Sequence, residues 1–148
     1  MDLSLDTCEV SKINILTRTK EFTISKDVAK LSVLLKTCID NDQNCNELNL
    51  DIDSVIFEYI VEYLELANKN TPSEIPKPIK DLSLRVYLQD WEYDYIIKLE
   101  TEHMIKKVLD MTNYLDIPPL FEMLCAKVAS VIKHKIHLPN LNDLINNL

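Results

Sequence analysis

Two short stretches near the start of the chain alternate apolar with polar residues. Ile13 and Ile15 share one face of residues 12–17, and Phe22 and Ile24 share one face of residues 21–25. A period of two marks a half-buried strand, and the polar residues 17–20 between the stretches predict a β-hairpin. That turn contains no Asn-Gly or Asp-Gly pair, so the sequence does not specify its type. The period then lengthens. Val28, Leu31, Leu34, Leu35 and Cys38 recur at intervals of three and four, which predicts one helix over residues 28–39. Residues 40–47 are polar and end it, and Leu48-Asn49-Leu50 reads as a short strand.

Asp53 is a good N-cap for a second helix. Its apolar stripe reads Val55, Ile56, Tyr59, Ile60, Tyr63, Leu64 and Ala67. One face of such a helix is expected to bury itself on the sheet or on another helix. Residues 71–81 hold Pro72, Pro76 and Pro78, which bar a helix and favour extended chain. This loop joins two parts of one domain. A short helix opens at Asp90-Trp91-Glu92-Tyr93-Asp94 and ends near Leu99. Thr101 is the expected cap of the next helix, with Met104, Ile105, Val108, Leu109, Met111 and Leu115 as its apolar face. Pro118 excludes Ile117 from helical geometry, and Pro119 suits the first turn of the following helix.

That following helix is apolar on two sides. One row is Leu120, Leu124, Val128 and Val131, and a second is Phe121, Cys125 and Ile132. If one row faces the core, the other needs a second cover, either this chain or a partner. Lys133, His134 and Lys135 complement the dipole at its C-terminal end. Residues 140–148 read as one more short helix, with Leu141, Leu144, Ile145 and Leu148 on its apolar side. Two strands followed mostly by helices place the chain in the α+β class, a small sheet covered by helices.

Composition narrows the chemistry. The chain of 148 residues carries a net charge of -8, from 24 acidic against 16 basic residues. An acidic surface opposes nucleic acid and anionic membranes, so neither is an expected partner. No apolar run is long enough to span a bilayer, and residues 1–6 lack the apolar stretch of a signal peptide, so a cytoplasmic and nuclear protein is expected. Glycine is absent, where roughly 7% is usual. Every phosphate-binding loop and nucleophile elbow that requires glycine is therefore excluded. Turn positions with positive φ must fall to other residues, and Asn41, Asn44, Asn46, Asn68 and Asn70 are the candidates.

No catalytic, metal or cofactor site emerges. Cys8, Cys38, Cys45 and Cys125 form no C-x-x-C pair and are expected to be free thiols. His134 and His137 could share a helix face, but two ligands do not make a zinc site. His103 reads as a solvated residue in the first turn of a helix. Asp90, Glu92 and Asp94 are two apart, so they point in different directions and read as the polar side of a helix start. An enzyme is not expected.

One resemblance draws these elements together. Asn113-Tyr114-Leu115-Asp116-Ile117, then Leu120, then Cys125-Ala126-Lys127-Val128-Ala129 and Ile132-Lys133, resembles the most characteristic segment of the Skp1 family. Near the N-terminus, Ala29-Lys30-x-Ser32-Val33-x-x-Lys36-Thr37 also resembles the family. Ile75-Pro76-Lys77-Pro78-Ile79, followed by Trp91-Glu92-Tyr93-Asp94, is similar to its middle. The matches fall in the family's order, from about Ser11 to Lys135. The resemblance implies a BTB/POZ-like α+β domain over residues 11–117, including the proline-rich loop 71–81, after a poorly structured stretch 1–10. Residues 118–148 are then the C-terminal helical extension that serves dimerisation and F-box binding, in truncated form.

It also implies a non-enzymatic adaptor of an SCF-type ubiquitin ligase, acting in ubiquitin-dependent protein degradation. One face meets the N-terminal domain of a cullin, at Asn113 and Tyr114. Another meets an F-box protein or a similar amphipathic helical segment, at Phe121, Cys125, Val128, Ile132, Leu144 and Leu148. The fold also permits a weak homodimer. Alternatives of the same fold are an elongin-C-like adaptor and a Skp1-like structural subunit of a non-ligase assembly. The chain departs from the family at several points. Family glycines in the hairpin and after Asp-Ile are replaced, the latter by Pro119. The acidic loop is reduced to residues 40–47, and His137-Leu138-Pro139-Asn140-Leu141 is divergent. The final helix with its Trp-Cys signature is missing, so the resemblance supports the cullin face more fully than the F-box face.

Overall fold

A computed structural model describes residues 11–42, 44–77 and 84–134 of the chain. The readings for residues 1–10, for Pro78 and the rest of the loop, for His137, and for the helix with Leu144 and Leu148 fall outside the described residues.

The hairpin forms as the alternation requires. Strand β1 (Lys12–Leu16) pairs antiparallel with β2 (Glu21–Ser25). The register sets Ile13 opposite Ile24 and Ile15 opposite Phe22, so all four side chains lie on one face and all are buried. The glycine-free turn is closed by Thr17, whose N–H donates to the Lys20 carbonyl at 2.9 Å. Strand β3 (Glu47–Asn49) runs parallel on the other side of β1, giving the order β2-β1-β3.

The single helix expected over residues 28–39 is in fact two. Helix α1 (Lys26–Ala29) is capped by Ser25, and helix α2 (Val33–Asn41) by Ser32. The chain breaks at residues 30–32 because Ser32 is held elsewhere. Its buried hydroxyl accepts from Leu35 N–H at 3.2 Å and donates to the Leu115 carbonyl at 2.6 Å. Leu31, expected on the apolar stripe, is exposed at the break.

Helix α3 (Ser54–Lys69) starts at the expected cap. The Asp53 carboxylate accepts from Val55 N–H at 2.8 Å and Ile56 N–H at 3.2 Å. Asp53→Ala is expected to cost about 1 kcal/mol and to lower Tm by about 3 °C, measurable by thermal unfolding. An unchanged Tm would mean that solvent replaces the cap without loss. The buried stripe of α3 is rotated from the expected one: Phe57, Ile60, Val61, Tyr63 and Leu64 are buried, whereas Val55 is exposed. The ring of Phe22 decides this, meeting Phe57 edge-on with centroids 5.1 Å apart. The sheet thus selects the Phe57 side of the helix.

A 3-10 turn (Leu84–Tyr87) leads into α4 (Asp90–Thr101). Thr101 ends α4 and does not cap the next helix. Helix α5 (Ile105–Leu115) begins after Met104, because His103 at φ 56° turns the chain between them. His103 therefore lies in the inter-helix turn and not in a first helical turn. The second positive-φ residue among those described is Asp116, at φ 58°. Neither is an asparagine: the left-handed positions fall where α4 and α5 end, not in the polar loops. Helix α6 (Pro118–His134) follows after two residues, Asp116 and Ile117. Residues of the sheet and of all the longer helices join one hydrophobic core, which includes Leu120, Met123, Leu124 and Ala126 of α6. Among the described residues no helix is long and apolar enough to cross a membrane.

Tyrosines bind α3 to α4. The Tyr95 hydroxyl donates to the Tyr59 carbonyl at 2.7 Å, the Tyr59 hydroxyl donates to Glu102, and Tyr63 packs against Tyr95 and Trp91. The hydrogen bond to Glu102, with burial and nearby glutamates, pushes the Tyr59 phenol up to about 12. Burial pushes Tyr63 and Tyr95 up as well. These three groups hold their protons more tightly in the folded chain than at the unfolded value of about 10. Their contribution to stability is complete below that pH and is lost as pH rises through the folded values. A tyrosinate absorbance titration should show Tyr59, Tyr63 and Tyr95 ionising above the unfolded value in the folded chain, with a single step near pH ~10 in denaturant. A single native step at that pH would contradict this packing.

Candidate functional site

Two surfaces are built around the turn between α5 and α6. The turn itself is tightly fastened. Asp116, at φ 58° and ψ 74°, is the C-cap of α5, and its N–H and that of Ile117 both donate to the Thr112 carbonyl, at 2.8 and 3.3 Å. The carbonyls released at the helix end are taken by the α2 cap. Leu115 accepts from the Ser32 hydroxyl, and Asp116 accepts from Val33 N–H at 2.8 Å. Leu115 and Ile117 are pulled into the core. The same helical phase leaves Asn113 and Tyr114 outside, with Tyr114 55% exposed.

Tyr114 is the edge of a groove of about 470 Å³. Ile52, Ile56 and Met111 supply apolar lining, and Arg18, Lys107, Asp51 and Asp110 supply charges of both signs. Arg18 Nε pairs with the Asp51 carboxylate at 2.8 Å across exposed surface, which contributes little to stability. An exposed ring beside a shallow apolar trough with a mixed charged rim suits protein contact.

The second surface is the outer side of α6. Leu120, Met123 and Leu124 are essentially without exposure, and Ala126 is buried. Phe121, Cys125, Val128 and Ile132 are half-buried. The four are not equivalent. Val128 packs against the core, as Val131 does, whereas Phe121, Cys125 and Ile132 are not members of the core cluster among the described residues. Val128 is therefore better assigned to the inner row than to the partner-facing one. The spacing already sets Val128 in the row of Leu120 and Leu124, and only the family resemblance puts it on the partner-facing side. Burial pushes the Cys125 thiol up, against the pull of Lys77, which makes it a poor nucleophile and a suitable apolar contact. Among the described residues no group of three or more His, Cys, Asp and Glu side chains is placed to hold a metal ion. Cys38, Cys45 and Cys125 are free thiols.

No family model matches the chain. Individual relatives do. The chain is similar to an S-phase kinase-associated protein 1 homolog of Tetrahymena thermophila, at 30% identity over 113 residues, 76% of this chain and 68% of the relative. This chain belongs to the Skp1 family. It is similar at 28% identity over 118 residues, 78% of the chain and 71% of the relative, to the SCF ubiquitin ligase complex protein SKP1a of Dictyostelium discoideum. It is similar at 25% identity over 132 residues, 85% and 80% of the two chains, to the suppressor of kinetochore protein 1 of Schizosaccharomyces pombe. The three-stranded sheet and its helices are those of a Skp1-like fold.

In this Skp1-family chain the resemblance points to Asn113 and Tyr114, whereas the groove beside Tyr114, with Ile56 and Met111 in its lining, appears only in the structure. Ile56 belongs to the expected core stripe of α3 and Met111 to that of α5; both are half-buried and contribute to core and groove together. Glu92 was also misplaced. It is not on the polar side of α4 but is 2% exposed, closing a capping box with Gln89. The spacing Gln89-x-x-Glu92 is the signal that would have revealed it.

Proposed function

We propose that this Skp1-family chain is a non-catalytic adaptor of an SCF-type ubiquitin ligase, with a cullin at the Tyr114 groove and an F-box helical segment on the outer row of α6. The observation that carries the reading is the pair of distinct, incompletely covered surfaces on consecutive helices, one around Tyr114 and one along Phe121, Cys125 and Ile132. An adaptor needs two such surfaces at a constant separation. The turn at Asp116, bonded to α2 through Ser32 and Val33, supplies that rigidity. The name of the Dictyostelium relative, an SCF ubiquitin ligase complex protein, supports the same role.

The bonds to each partner differ in kind. At the groove, Tyr114 offers a large ring with a polar tip and few rotors, the profile of an interface anchor. On α6, a row of apolar side chains at helical spacing fits the apolar face of a partner helix. Neither surface requires chemistry from the adaptor itself.

The test is co-purification of the chain with a cullin N-terminal domain and, separately, with an F-box peptide. Stable complexes with both establish the adaptor. Cullin binding alone assigns α6 to another class of receptor. Binding to neither overturns the ligase reading. The name of the fission yeast relative, a suppressor of a kinetochore protein, then makes a structural role in a non-ligase assembly the reading to pursue.

A further inference from the structure

Residues 71–77 leave α3 without regular secondary structure and cross to α6, and a buried carboxylate holds them. Glu92 is 2% exposed. Its Oε2 accepts from Ser73 N–H at 3.0 Å, and its Oε1 accepts from the Ser73 hydroxyl at 2.6 Å and from Gln89 N–H at 2.9 Å. Gln89 completes the clasp: its Nε2 donates to the Thr71 carbonyl at 2.6 Å and to Ser73 Oγ at 3.2 Å. The Trp91 indole N–H donates to Gln89 Oε1 at 3.1 Å. A buried carboxylate is costly unless its charged form is well hydrogen-bonded, so removing one donor weakens the whole clasp.

The far end of this strap lies against α6. Ile75 is buried in the core. A cleft of about 330 Å³ has Pro72, Glu74 and Ile75 on one side and Pro118, Pro119 and Glu122 on the other. Glu122, which lines this cleft, stands one turn before Cys125 on α6, and the positive charge of Lys77 opposes the upward push of burial on that thiol. The strap thus follows the start of α6 and reaches the half-open row at Cys125.

We propose that the strap 71–77, clasped through Ser73 and Glu92, is a fixed wall of the helical-partner surface, and that the clasp governs how tightly that partner is held. The proposal rests on the reading of α6 as a partner face. A helix laid on Phe121 and Cys125 has the strap as its border. A strap ordered beforehand spares the complex the entropy that a loose segment would lose on binding. Ser73 and Glu92 are positioning residues, acting on the partner through the strap.

Ser73→Ala removes the hydroxyl donor, and Ser73→Thr keeps it. Amide hydrogen exchange over residues 71–77 is followed together with calorimetric affinities for an F-box peptide and for a cullin N-terminal domain. Ser73→Ala is expected to speed exchange in the strap and weaken F-box peptide binding about 10-fold, while cullin affinity stays within about 2-fold. Ser73→Thr is expected to restore both changed quantities. Unchanged exchange, faster exchange with unaltered F-box affinity, or an equal loss towards both partners overturns the proposal. A wild-type chain that binds no F-box peptide overturns the reading of α6 and the proposal with it, and does so before any substitution is made.

Discussion

Tyr114→Lys should weaken the complex with a cullin N-terminal domain by at least about 30-fold while leaving the melting temperature of the free chain nearly unchanged. The asymmetry follows from where the side chain sits. Tyr114 is 55% exposed on the last turn of α5, so the folded monomer loses little packing when the ring is removed. In a complex the same position is covered, and a lysine there must leave its ammonium either desolvated beside Ile56 and Met111 or turned out of the interface. Asp51 and Asp110 line the same groove but already face Arg18 and Lys106, respectively. Tyr114→Phe keeps the area and should retain most of the affinity. Calorimetric titration measures both. Equal affinities for wild type and Tyr114→Lys would remove this residue, and with it the groove, from the cullin surface.

Phe121→Asp should raise the dissociation constant for an F-box peptide by about 100-fold and spare the cullin. The ring is half-buried on the outer side of α6, and the substitution exchanges an apolar anchor for a charge that the partner would desolvate. The free chain should tolerate it better than most buried substitutions. Phe121 stands in the first turn of α6, which begins at Pro118, and a carboxylate near a helix N-terminus is favourable. Val128→Asp is the informative contrast. Val128 packs on the core, so its replacement should lower stability and impair both interactions together. An F-box affinity that survives Phe121→Asp would sink the assignment of the outer row.

The two surfaces differ in how they combine rigidity with exposure. Tyr114 is presented by a turn in which every bond named crosses to the same helix or to α2. The start of α6 instead has the irregular strap 71–77 beside it, which hydrogen-bonds with Gln89 and Glu92 at the start of α4. Changes at Ser32 should therefore be felt first near Tyr114, and changes at Ser73 first near Cys125.

Much of this architecture was readable from local pattern alone. The alternation of Ile13, Ile15, Phe22 and Ile24 determined the hairpin, because a period of two permits only one buried face. Asp53 announced the start of α3, and Pro118 the end of α5, because capping and the proline ring act within a few residues. The acidic, glycine-free composition excluded phosphate loops for stereochemical reasons, and the Asn113 to Ile117 segment carried the family. Tertiary structure decided the rest. The break before α2 exists because Ser32 meets Leu115, 83 residues further along the chain. The buried side of α3 was chosen by Phe22 across the sheet. Glu92 became a buried acceptor because Ser73, from a loop without periodicity, was brought to it. Val128 went to the core and Phe121 stayed half-open because a helix with two apolar rows has no internal preference between them. The chain's own sequence specifies which faces can be buried, but only the packing of distant segments determines which of them are left for a partner.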